Sequence, residues 1–232
     1  MNLMKLPLQA SLLISAATLA AVLLPLPTAA GVVQVTVLGR DGQPLPDAVV
    51  VIDAGTSTST VGKAPSMAAS TGVTTIAQLR MQFVPMVTIV PVGARGRFTN
   101  FDSWDHHVRG LPAGYAGSGR ESPTGFELRL AGKTEGKEPD SAEVTLDKAG
   151  PVQLGCHLHG SMRGFVLVAD SPWYAKTNAN GIATLPDVPD GAARVRLWHA
   201  DQLVDIPATS LQVTSITTLT VPTLVQPRRR RS

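Results

Sequence analysis

The chain has 232 residues, 44% of them hydrophobic, 16% charged and only 4% aromatic, with 21 Gly, 18 Pro and a single Cys. That length holds one large or two small domains, and the many short Val/Thr/Leu runs between Gly and Pro argue for β-sandwich structure and against a helical bundle. The formal charge is +3, but without Lys5 and the four arginines Arg228–Arg231 it becomes −2, so the basicity belongs to the ends and does not mark a nucleic-acid binder.

Residues 1–30 open with Lys5, continue through an apolar run from Leu8 to Leu26 and end Pro27-Thr28-Ala29-Ala30. This is the pattern of a secretory signal peptide with a small-residue cleavage site, which puts the mature start at Gly31. Pro7, Gln9, Pro25 and Pro27 leave no clean stretch of about 20 apolar residues to span a bilayer. A soluble, periplasmic protein with no stable membrane insertion is expected. In an oxidising compartment a lone thiol is exposed to oxidation or cross-linking unless something holds it.

Val32 to Leu38 alternates as a strand, Gly39 to Pro46 supplies turn residues, and Ala48 to Ile52 reads as a second strand, which together predict a hairpin. Residues 54–75, rich in Ser, Thr, Ala and Gly without periodicity, predict a flexible loop or linker. From Ile76 to Asp170 a second module is expected, with strands at 82–86, 86–92, 96–100, 126–130, 143–146, 152–156 and 165–168.

The chemistry concentrates in Cys156-His157-Leu158-His159-Gly160-Ser161-Met162, where a thiol, two imidazoles and a thioether fall within seven residues. Two His, one Cys and a weak axial Met make the ligand set of an electron-transfer copper site. In Cys-x-x-His-x-x-Met each step of three makes about one tight turn, so Cys156, His159 and Met162 can converge, with Gly160 relieving the backbone and His157 pointing away. The plainer alternative makes Cys156 a small buried hydrophobe and Met162 a gap-filler. Asp105-His106-His107-Val108 offers the further imidazole; adjacent strand residues face opposite sides, so one of His106 and His107 can ligate, not both.

The run Gly155 to Val168 resembles the ligand loop and last strand of cupredoxins, especially the short amicyanin type, and Phe83 to Val108 looks like the plastocyanin-type path to a first ligand. The resemblance covers about residues 76–200 and extends to bacterial secreted plastocyanin-like proteins labelled methylamine utilization proteins. It implies a cupredoxin-type Greek-key β-sandwich holding one mononuclear copper on His106, Cys156, His159 and Met162, with the ring edge of His159 as the port for electrons. His106 is matched because the family writes this place as His-x-Val. The chain departs from the family in having Asp105 before this histidine and His107 after it, where Pro and Asn are usual, so the customary link between the two ligand loops is not expected in its usual form.

Beyond Asp170, Asn180-Gly181 and Asp190-Gly191 are strong turn signals between alternating strands. Thr177 to Leu185 and Ala193 to His199 resemble carboxypeptidase regulatory-like, transthyretin-type modules. The first hairpin looks like the beginning of such a module, so residues 31–53 plus 171–225 are expected to form one small sandwich interrupted by the copper module, a simple tandem remaining the alternative. Residues 226–232 form a basic tail, expected to be a solvated end; as a docking arm it would steer toward an acidic partner or anionic lipid.

Outside the copper set, Trp198-His199 reads as packing with a surface imidazole, because nothing nearby supplies a second ligand. Trp104 could shield a metal, offer an apolar surface or fill a core. Asp102 and Asp105 read as turn chemistry or as orienting an imidazole. With no Ser-His-Asp set, phosphate loop or nucleotide fingerprint, no enzyme is expected. The expected function is a periplasmic type 1 copper protein carrying single electrons between protein redox partners. The alternatives are a copper chaperone or storage protein and a non-redox β-sandwich interaction module.

Overall fold

The structure, a computed structural model, describes residues 29–55, 72–113 and 124–227. Most of the leader, most of the 54–75 linker and Arg228–Arg231 lie outside these. The described residues form strands and turns with no helix, an all-β architecture, so they contain no helix long and apolar enough to cross a membrane.

Sixteen strands follow one another: β1 (Ala30–Leu38), β2 (Val49–Ala54), β3 (Val73–Leu79), β4 (Gln82–Val84), β5 (Val87–Pro91), β6 (Ala94–Asn100), β7 (His106–Pro112), β8 (Phe126–Leu130), β9 (Ser141–Leu146), β10 (Gly150–Cys156), β11 (Arg163–Ala169), β12 (Trp173–Lys176), β13 (Ile182–Pro189), β14 (Gly191–Trp198), β15 (Thr209–Val213) and β16 (Ile216–Pro222). Among the described residues these sixteen strands build four sheets. The orders β13-β1-β16 and β12-β2-β14-β15 draw only on the two ends of the described chain; β4-β3-β6-β9 and β5-β11-β10-β7-β8 draw only on its middle.

Alternation decides which side chains go inward. In β1, Val33, Val35 and Val37 are fully buried while Gln34 and Thr36 are not, and they meet Val50, Ile52, Val195 and Leu197 of the facing sheet in one core. In the middle pair of sheets Ile76, Phe83 and Phe98 face Val108, Val152, Leu154 and Val166, with Cys156 and Met162 in the same cluster.

Two strands are apolar on both faces, and each face has its own destination. Val50 and Ile52 of β2 enter the outer core, while Val49 and Val51 turn the other way. Val166 and Val168 of β11 enter the middle core, while Leu167 turns outward. Val49, Val51, Val87 and Leu167 thereby close a third cluster between the two pairs of sheets, flanked by the Phe165–Trp198 ring pair at 5.5 Å.

Two local expectations need correction. β1 and β2 are not a hairpin: β1 pairs with β13 antiparallel and with β16 in parallel, while β2 pairs with β12 and β14. The turn residues after β1 carry the chain across to the opposite sheet instead of back along the same one. In addition, β3 begins at Val73, inside the stretch read as linker, where it is held by a parallel ladder to β6.

His199 is packed, as read, but it is buried, not a surface imidazole. Its Nδ1 accepts from the Asp201 N–H at 3.0 Å, which leaves Nε2–H to donate to the Pro46 carbonyl at 3.2 Å. Burial lowers its pKa below the ordinary 6.5, outweighing the upward pull of Asp201, Pro46 and Asp47. The unfolded chain therefore takes up a proton at a pH where the folded chain does not, and the folded state loses stability as pH falls below about 6.5. Thermal melts between about pH 7 and pH 5 should show this decline, and His199→Gln should flatten it; an unchanged slope would exclude His199 as its source.

Candidate metal centre

β7 and β10 are neighbours, with Cys156 opposite Val108. This register sets His106, two residues before Val108, beside the end of β10, and alternation turns His106 and Cys156 to the interior. The chain then turns after Cys156, with the Met162 N–H donating to the His159 carbonyl at 3.0 Å. Gly160 is not among the positive-φ residues of this turn, and a Cβ there would meet open space, so the turn does not require glycine.

Three donor atoms converge. Cys156 Sγ lies 3.6 Å from His106 Nδ1 and 3.6 Å from His159 Nδ1, and the two nitrogens are 3.1 Å apart. Such separations are those a single ion imposes on ligands about 2.0–2.3 Å from it. Both His106 and Cys156 are buried, as is Met162 at 2% exposure, whereas His159 is only partly covered. The structure thus brings His106, Cys156 and His159 together and sets Met162 in the core cluster that contains Cys156. His107 turns to the other face of the sheet, 3.2 Å from Glu127.

Asp102 fixes the imidazole. His106 Nε2 lies 3.0 Å from Asp102 Oδ2, so the ring donates its Nε2–H there and presents the bare Nδ1 lone pair to the sulfur. The same carboxylate accepts from the N–H groups of Arg80 at 2.6 Å and Met81 at 2.9 Å. Burial pushes the Asp102 pKa up, but the Met81 N–H, the His106 side chain and the Arg80 N–H together pull it further down, for a net lowering. Arg80 and Met81 both have left-handed φ, 53° and 55°, as the two-residue turn between β3 and β4 demands. Asp102 is thus at once the clamp on a strained turn and the partner of a ligand imidazole.

The loop before β7 is tied down throughout. Asn100 Nδ2 donates to the carbonyls of Trp104 and Ala131, the Asp102 N–H donates to Asn100 Oδ1, and Gly132 N–H donates to Asp105 Oδ1. Gly132 packs so closely on Ser103 that any Cβ would run into the Ser103 carbonyl oxygen. The two ligand-bearing strands are joined by the His157 N–H donating to the His107 carbonyl at 2.9 Å. A main-chain bond therefore links the two loops at His107. Trp104 is 47% exposed and fills no core.

Of the contributors that sequence reasoning missed, Asn100 closes a recognisable strand and precedes a polar loop, which is a usable signal. Glu127 carries none, since only the β7–β8 register brings it near the histidines.

The donor set is borderline nitrogen plus soft sulfur, closed on one side by the core, a combination that suits copper or zinc and not a hard cation. No family model matches the chain, and no curated protein does. Among solved structures it is similar to a mutant amicyanin in its Cu(I) form, at 21% identity over 42% of this chain and 83% of that one, TM-score 0.33. It is similar to a purple cupredoxin from Nitrosopumilus maritimus, at 19% identity over 41% and 98%, TM-score 0.32. A copper-containing nitrite reductase from Thermus scotoductus SA-01 matches at 23% identity over 41% of this chain and 22% of that one, TM-score 0.33.

Proposed function

We propose that the chain is an exported type 1 copper protein that passes single electrons between protein partners. The observation that carries this reading is the convergence of His106 Nδ1, Cys156 Sγ and His159 Nδ1 at 3.1–3.6 Å. Held there by His106, Cys156, His159 and Met162, one copper ion would supply a Cu(II)/Cu(I) couple.

The residues of the chain do the rest. Asp102 holds the His106 tautomer, so the nitrogen lone pair is aimed before any ion arrives. The core around Cys156 and Met162 excludes water from the sulfur side. Ligands fixed by strand ladders and a tied loop move little between oxidation states, which keeps the cost of electron exchange small. His159, partly covered and following the 59% exposed Leu158, is the ring through which a partner exchanges electrons. Four protein ligands leave no position for a substrate, which favours a carrier over an enzyme. The leader pattern of residues 1–30 assigns the work to the periplasm, where copper also protects the lone thiol.

The test is to load the purified chain with one equivalent of copper and record absorption and electron paramagnetic resonance. An intense thiolate-to-copper band and a narrow parallel hyperfine splitting are expected; a colourless, exchangeable Cu(I) complex would replace the carrier reading by a copper chaperone. Met162→Gln should keep the copper and lower the reduction potential, because an amide oxygen favours Cu(II) over Cu(I) more than a thioether does. An unchanged potential in voltammetry would remove Met162 from the ligand set.

A further inference from the structure

On the reverse face of the same strands stands a second group of ligands. His107 Nε2 lies 3.2 Å from Glu127 Oε2, and His157 Nε2 lies 3.3 Å from Glu127 Oε1. The two imidazole rings are 4.6 Å apart, tilted by 39°, and one ligand atom from each of the three residues lies within 4.8 Å of the others. We propose that His107, Glu127 and His157 form a second metal site, open to solvent, for a borderline divalent ion, with Cu(II) preferred over Zn(II).

The backbone prearranges it. The three residues sit on or at the ends of β7, β8 and β10, which are hydrogen-bonded neighbours, and the His157 N–H to His107 carbonyl bond fixes the separation of the two imidazoles. Each Nε2 faces a different oxygen of one carboxylate, so a modest swing of the exposed Glu127 lets an ion enter between all three. Imidazole and carboxylate together suit Zn(II) and Cu(II), and among the divalent ions Cu(II) binds such a set most strongly. Three protein ligands leave at least one position for water, so the ion is exchangeable, unlike one enclosed by His106, Cys156, His159 and Met162.

Opposing charge sets the strength. Arg109 and Arg129 project from the same face of β7 and β8 as His107 and Glu127, and their repulsion of a cation makes the site moderate in affinity and stronger at high salt. Because neighbouring strand residues alternate faces, each imidazole of this site is one residue away from a ligand of the buried one, His107 from His106 and His157 from Cys156.

The experiment adds a second equivalent of Cu(II) to the copper-loaded chain and follows electron paramagnetic resonance before and after gel filtration. A second signal with wide parallel hyperfine splitting and nitrogen superhyperfine structure should appear, survive filtration and be displaced by excess Zn(II). His157→Ala and Glu127→Gln, both on the surface, should each weaken it by more than the about 10–100-fold that loss of an outer partner costs, while leaving the first signal intact. A second equivalent that shows only aqueous copper, or a second signal unchanged in His157→Ala, overturns the site. The outcome is separable from the carrier reading, whose failure would remove the first signal and leave the second in place.

Discussion

Cys156→Ser should abolish the thiolate-to-copper absorption band completely while leaving a folded protein. The band requires sulfur donating charge to copper, and a serine oxygen, still protonated at neutral pH, cannot replace it. The fold should survive because the exchange changes one atom in a cluster that also contains Val108, Leu154 and Val166, and the new hydroxyl finds His106 Nδ1 and His159 Nδ1 as ready partners. Its burial then costs on the order of 1 kcal/mol, not the larger penalty of an unpaired polar group. Absorption and circular dichroism on one sample decide the matter: a persistent band refutes the site, and a lost far-ultraviolet spectrum makes Cys156 a structural residue.

Asp102→Ala should lower both stability and copper affinity, through separable routes. The buried His106 Nε2–H loses its acceptor, and the Arg80–Met81 turn loses the carboxylate that holds its two N–H groups, for a destabilisation of about 2–4 kcal/mol. Without its partner the His106 ring is free to rotate or to take the other tautomer, and copper affinity should fall by about 10–100-fold, the usual cost of losing such an orienting group. Adding Arg80→Asn and Met81→Gly, residues that accept left-handed φ, should restore much of the stability and none of the affinity. Denaturation midpoints and copper competition titrations measure the two losses separately. Recovery of both together would mean that Asp102 acts on the centre only through the turn.

How far the centre could be read beforehand follows from how local each part is. Cys156, His159 and Met162 share one turn, so their convergence depends on spacing alone. His106 comes from another strand, and choosing it over His107 needed the alternation of β7 and its register against β10, which composition does not encode. The second role of Asp102 was invisible for the same reason: its partners Arg80 and Met81 meet it only because β3 and β6 lie side by side. The strands of the middle sheets followed from their alternation; β7 was legible only as the strand step between His106 and His107, without bounds, and β3 was missed because Thr74 and Thr75 look like linker until β6 pairs with them. The misread hairpin at β1 and β2 shows a general ambiguity. A cluster of Gly, Asp and Pro marks a change of direction, but whether the chain returns along one sheet or crosses to another depends on which distant strands take the vacant edges.

The outer ladders impose an order of assembly. β2 meets β12 at Ile52 and Trp173, and β1 meets β16 at Val32 and Ile216, so each closes a span of over about a hundred residues. The entropic toll of joining such distant points grows with the length of loose chain between them. Strands β3 to β11, once collapsed, reduce that span to a short tether and deliver its two ends side by side. Assembly should therefore proceed from the inside outward, and β1 cannot take its place in the parallel ladder until β16 has been made.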